Sequence, residues 1–265
     1  MFNFKKIVSL ILVMTMLFSL AACSTPGQGD NKGSEPAKEE AKADETTGGK
    51  VLRYSLTADV PTLDPQLMNS IPSTTVGFHI YEGLMRNHVG EIMPGMAEKY
   101  EISEDGKTYT FHLRDAKWSD GQPIKAQDYE YALKRLADPA TASDYAFLIT
   151  SLIKNAGDIN AGKMPVDQLG VKAVDDKTLT IELNNPTGYF LSMLSMSQLC
   201  PTRKDLVEKY GKEFATDGEK NVYSGPFVVE QWKQEDRIIL KKNPNYWNAE
   251  AIKLDEVDIL TVADP

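Results

Sequence analysis

The chain has 265 residues, of which 42% are apolar and 25% charged, the composition of an ordinary globular protein. Its 38 acidic and 29 basic side chains leave a formal charge of −9, which disfavours a nucleic-acid partner held by counterion release. Two cysteines exclude a disulfide framework and a multi-cysteine zinc or iron–sulfur site.

Residues 1–22 read as a signal peptide. Lys5 and Lys6 supply the positive start, Ile7 to Leu20 is a nearly unbroken apolar run of 14 residues, and small Ala21 and Ala22 end it. A spanning helix needs roughly 20 apolar residues, so the run predicts an address and not a permanent span. Leu20-Ala21-Ala22-Cys23 resembles a bacterial lipobox, which implies lipidation of Cys23 and its exposure as the new N-terminus. Each buried methylene is worth about 0.8 kcal/mol, so two or three acyl chains would hold the protein on the membrane. Removal of residues 1–22, with two lysines and no acid, takes the charge to −11. That charge favours solubility over attraction to anionic lipid. A lipidated Cys23 leaves Cys200 without an intramolecular partner, and we read it as a small core hydrophobe.

Residues 23–50 read as the lipidated cysteine and a disordered tether. Between Ser24 and Lys50 the only apolar side chains are Ala37, Ala41 and Ala43, too few to repay ordering entropy. A coil of this length spans roughly 30 Å. Gly27, Gly29 and Gly33 lack the preceding strand and following helix of a dinucleotide loop.

From Val51 onward the pattern is that of a mixed α and β domain. Alternating apolar residues predict strands at 51–56, 109–113, 171–174, 178–183, 227–231, 237–241 and 254–260. Helices are predicted at 73–84, at 126–136 after the turn Asp120-Gly121-Gln122-Pro123, and at 189–196. Asp175-Asp176-Lys177 reads as a hairpin turn between two of the strands. The βαβαβ rhythm of a doubly wound nucleotide fold is missing. Trp118 reads as a core anchor, whereas Asp128, Lys134 and Arg135 read as a solvated helix face.

Catalytic patterns are lacking too. His79, His88 and His112 do not share the spacing that would aim two imidazoles at one metal. His112, between Phe111 and Leu113, reads as a solvated or satisfied strand histidine. There is no Gly-x-Ser-x-Gly elbow and no phosphate-binding loop. Asp175-Asp176 and Glu39-Glu40 read as solvated acids of a turn and the tether. No enzyme activity, metal or cofactor is expected.

Residues 51–265 resemble the N-terminal half of the extracellular solute-binding proteins of peptide-type ABC importers. The densest part of the resemblance runs from Ala97-Glu98-Lys99-Tyr100 through Asp105-Gly106-Lys107 to Trp118-Ser119-Asp120-Gly121. Further anchors are Leu63-Asp64-Pro65, Tyr81-Glu82-Gly83-Leu84, Asp138-Pro139 with Thr141-Ala142-Ser143, Gly225-Pro226-Phe227 and Asn243-Pro244-Asn245-Tyr246-Trp247. The resemblance implies a type II clamshell of the periplasmic-binding-protein kind, represented here by the first lobe and its small inserted domain. Residues 51–80 and 204–265 would form the base domain and residues 81–203 the inserted domain. The second lobe, with the acid that pairs with a peptide N-terminus, would follow Pro265.

The function so implied is a lipid-anchored, extracytoplasmic binding component of an ABC importer. It would act as a monomer, capture oligopeptides in extended form by strand addition and deliver them to the permease subunits. A dipeptide, nickel chelate, haem or oligosaccharide ligand, or a non-transporting remnant, are the alternatives. By the resemblance, Asn69, Ser70 and Ile71 lie on the segment that pairs with the peptide backbone, and Tyr145 lies on the cleft wall. A single lobe would bind weakly and expose apolar surface meant for the other.

Overall fold

The computed structural model describes residues 49–262. The signal peptide, Cys23 and all but the last two residues of the tether lie outside them. In chain order the strands are β1 (Val51–Leu56), β2 (Met85–His88), β3 (Glu91–Pro94), β4 (Ala97–Ile102), β5 (Thr108–Leu113), β6 (Val171–Ala173), β7 (Thr178–Glu182), β8 (Phe227–Lys233), β9 (Arg237–Lys242) and β10 (Glu256–Thr261). The helices are α1 (Ile71–Ile80), α2 (Ala126–Ala137), the short α3 (Phe147–Thr150), α4 (Ala156–Asn160) and α5 (Phe190–Met193), and α6 (Lys204–Tyr210).

Side-chain alternation along β5 builds one core. Tyr109, Phe111 and Leu113 point inward, and Phe111 stands opposite Leu179 of β7 in an antiparallel sheet ordered β4-β5-β7-β6. Onto it pack Tyr129, Leu133 and Leu136 of α2, which recur at helical spacing and are fully buried. Asp175-Asp176-Lys177 makes the expected turn between β6 and β7, closed by Val174 N donating to Thr178 O at 2.8 Å.

The second core lies on the sheet ordered β1-β10-β9-β8, in which only β1 and β10 run parallel. Its buried residues include Leu63, Met68 and Ile80 around α1 and Phe227, Leu240, Val257 and Ile259 from the sheet. Cys200 is buried in this core, and burial pushes its thiol well above the ordinary value. The cysteine is a packing residue, as expected.

Three expectations are corrected. The first helix runs from Ile71 to Ile80 and not from 73 to 84, because Ser70 caps it early and Tyr81 already has extended backbone. Tertiary bonds hold the exit: Tyr81 Oη donates to Leu63 O at 2.7 Å and Glu82 N to Ser224 Oγ at 3.0 Å. The helix expected at 189–196 shrinks to α5 followed by turns. The charged residues of α2 are not a solvated face. Asp128 accepts from Lys125 N at 3.0 Å and from Trp118 Nε1 at 3.1 Å, Lys134 bonds to Glu130 and Asp167, and Arg135 is inside.

Gly225 is where the sheet carrying β8 meets the exit of α1. Its N–H donates to Ile80 O at 2.9 Å, and a Cβ there would sit 2.5 Å from Ile80 C and 2.6 Å from Tyr81 N. Both neighbours are backbone and cannot swing aside. Gly225→Ala is therefore expected to destabilise the fold by about 1–3 kcal/mol, measured by urea unfolding. A loss below about 0.5 kcal/mol would show that the two segments can separate at little cost.

Candidate functional site

The segment from Leu63 to Ser70 starts with a local instruction. Asp64 accepts from Gln66 N at 3.1 Å and Pro65 opens a single 3-10 turn, after which Met68 returns to extended backbone. Ser70, also extended, caps α1 by accepting from Ser73 N at 3.2 Å, and Pro72 stands in the first helical turn, where no N–H is missed. Ser73 Oγ bonds to Thr62 O at 2.7 Å. Two caps thus bracket a short extended stretch.

Behind that stretch lies a buried polar hub. Arg135 Nη1 and Nη2 bond to both oxygens of Asp64 at 2.5 and 2.6 Å, and Nη1 also reaches Gln66 Oε1 at 3.0 Å. Burial alone would lower the guanidinium pKa, and Asp64 more than reverses that, holding the charge in place. Gln66 is fully buried: Nε2 donates to the carbonyls of Gln198 and Cys200, and Oε1 also accepts from Thr202 Oγ1 at 2.9 Å. Gln198 Nε2 donates to Met68 O at 3.0 Å. Every polar atom of the Gln66 side chain is used, so the segment is rigidly backed.

The second wall arrives from residues 142–147. Ser143 Oγ donates to Gln66 O at 2.5 Å and accepts from Tyr145 N at 3.2 Å, which docks this loop on the hub. Asn69 Nδ2 then bonds to Asp144 Oδ2 at 2.8 Å. The Tyr145 ring lies 5.5 Å from that of Phe147, which is 62% exposed, and Ile71 is 81% exposed. Asn69 and Ser70 are brought to one rim with the loop that carries Tyr145, which is far from them in sequence. Ser70 has a second task there as the cap, and Ile71 presents its side chain to solvent.

The main chain along this rim is free. Among the described residues, the Asn69 N–H and C=O and the Ser70 N–H have no hydrogen-bond partner. Asn69 is exposed and lies between the extended residues Met68 and Ser70, so these groups offer an edge onto which another chain can pair. A concavity of 1060 Å³ lies nearby, lined by Tyr131, Lys134, Arg135, Ala142 and Phe214 among others, yet it includes none of the four expected ligand residues. Lys134 and Arg135 there already have carboxylate partners. Unspent main-chain bonding capacity therefore lies at the rim and not at these two cations of the concavity.

Gln66 and Asp144 were not among the expected site residues. Each directly follows a motif that the sequence offered, Leu63-Asp64-Pro65 and Thr141-Ala142-Ser143. A local pattern could flag the neighbourhood and not the partner more than 70 positions away.

The description "Bacterial extracellular solute-binding proteins, family 5 Middle" matches residues 91–265. The chain is 40% identical over 259 residues to the oligopeptide-binding protein OppA of Bacillus subtilis, a match covering 97% of this chain and 46% of that protein. Among solved structures, the substrate-binding domain of an oligopeptide ABC transporter from Bacillus anthracis superposes with a TM-score of 0.79 at 39% identity, covering 81% of this chain and 42% of that one. Listeria monocytogenes OppA bound to peptide gives 0.78 at 34% identity, covering 82% and 43%. The chain thus spans just under half the length of these relatives, and its mixed α/β fold is part of the type II periplasmic-binding-protein fold. It belongs to the family 5 bacterial extracellular solute-binding proteins.

Proposed function

We propose that this chain is the ligand-rim half of a lipid-anchored binding component of an ABC importer that captures oligopeptides in extended form. The observation that carries the reading is the free main chain at Asn69 and Ser70, backed by the Gln66 hub and next to the loop that carries Tyr145. Pairing through main-chain groups gives affinity that ignores side-chain identity, which suits a carrier of varied peptides. In this reading residues 51–80 and 204–265 are the base domain and residues 81–203 the inserted domain, a division that the two cores follow except at Tyr81 and Cys200, which pack in the base-domain core. Cys23 holds the protein on the outer face of the membrane, from which the monomer passes peptide to permease subunits without catalysis of its own.

Calorimetric titration of the protein from its complete reading frame with tri- to pentapeptides tests this. Binding is expected for peptides of unrelated sequence. N-methylation of one pairing amide should weaken it about tenfold, the effect of one lost hydrogen bond. An undiminished affinity for every N-methylated peptide, or no binding at all, would overturn the reading. Separately, Cys23→Ala is expected to move the protein from the membrane fraction to the medium or periplasm, seen by fractionation.

A further inference from the structure

We infer that Asp144 is a specificity-determining residue of the rim, selecting ligands that place a cationic nitrogen beside the segment formed by Asn69 and Ser70. The inference rests on the peptide-binding reading and names a preference within it. Asp144 is exposed at the rim, and the Asn69 amide holds its Oδ2 at 2.8 Å. Asp144 forms no ion pair among the described residues, and its Oδ1 has no partner there.

The acids of the two neighbouring caps, Asp64 and Asp138, are spent differently. Asp64 is 2% exposed and doubly bonded to Arg135, and Asp138 accepts from Ala140 N at 2.9 Å where it caps a turn. Asp144 is instead fixed by a neutral donor, which orients a carboxylate without cancelling its charge. The hydroxyl of Ser143 and the ring of Tyr145 flank it on the same loop, docked on the rigid Gln66 carbonyl. Its position is therefore set before a ligand arrives, which lowers the ordering cost of an ion pair. Two ligand groups share the required chemistry: the N-terminal ammonium of a peptide and a lysine or arginine side chain.

The test uses the protein from its complete reading frame and calorimetry with four peptides: tetra-alanine, Ala-Lys-Ala-Ala, and the N-acetylated form of each. Asp144→Asn keeps the shape and a bonding partner for Asn69 while removing the charge. It is expected to weaken binding of the preferred cationic peptide about fivefold and to leave N-acetylated tetra-alanine unchanged. Loss confined to the free N-terminus assigns Asp144 to the ammonium, and loss that tracks lysine assigns it to a side chain. The selectivity of the wild type should shrink as salt rises. Equal weakening for all four peptides would assign Asp144 a structural role and overturn the inference, as would no change for any. If the wild type binds none of the four, the peptide reading itself has failed, a result distinct from either.

Discussion

Arg135→Met is expected to cost about 3–5 kcal/mol of folding stability, the penalty for leaving a buried carboxylate without its cation. The side chains of Asp64 and Arg135 are 2% and 12% exposed, so water cannot replace the lost partner. The same substitution removes one of the donors to Gln66 Oε1 and loosens the segment from Leu63 to Ser70. Arg135→Lys keeps the charge but not the planar fork, and is expected to fall between wild type and methionine. Removing both charges in Asp64→Asn with Arg135→Met should recover part of the loss, because the uncompensated charge goes with it. Urea unfolding monitored by tryptophan fluorescence measures all three. A loss below about 1 kcal/mol for Arg135→Met would mean that Asp64 finds another donor or becomes solvated.

Trp118→Ala is expected to have a comparable effect, about 3–5 kcal/mol, through the cavity it opens. Trp118 is 1% exposed at the exit from β5, and its backbone closes the following turn by donating to Gln122 O at 2.8 Å. Its indole N–H also donates to Asp128 at the start of α2, so the change removes packing and a capping partner together. Trp118→Phe separates the two, since it fills most of the space and lacks the donor. Burial is the main reason that the Asp128 carboxyl sits above its ordinary 3.8, with Lys125 N and Trp118 opposing it. A raised value in the folded state means that stability present at low pH is lost as pH rises through that value. Trp118→Phe raises it further, so its deficit relative to wild type should grow from about pH 4 towards neutrality. A deficit that is flat with pH would show that the indole N–H does not act on Asp128.

The elements legible in the sequence are those whose burial is written in their own period. β5 alternates Tyr109, Phe111 and Leu113, and α2 repeats Tyr129, Leu133 and Leu136, so each shows its inner face within a few residues. The strands from Met85 to Ile102 were not legible as strands. In β4, for example, Ala97 is the only buried residue of six, and pairing with β5 makes it a strand. The start of α1 at Ser70 lies in a local cap, whereas its end is imposed by Gly225 and Ser224, which bind its last carbonyl and the next amide but one.

For the site the division is similar. Motifs alone, by their resemblance, pointed to Asn69, Ser70, Ile71 and Tyr145, and the net charge alone disfavoured a nucleic-acid partner. Only the tertiary structure decided that Arg135 is a buried partner of Asp64 and that Asn69 meets Asp144 75 positions along the chain. A charged residue reads as solvated until its partner is known, because the free energy of burying a charge depends wholly on what faces it. Apolar residues carry their preference with them, and that is why the core was readable and the polar hub was not.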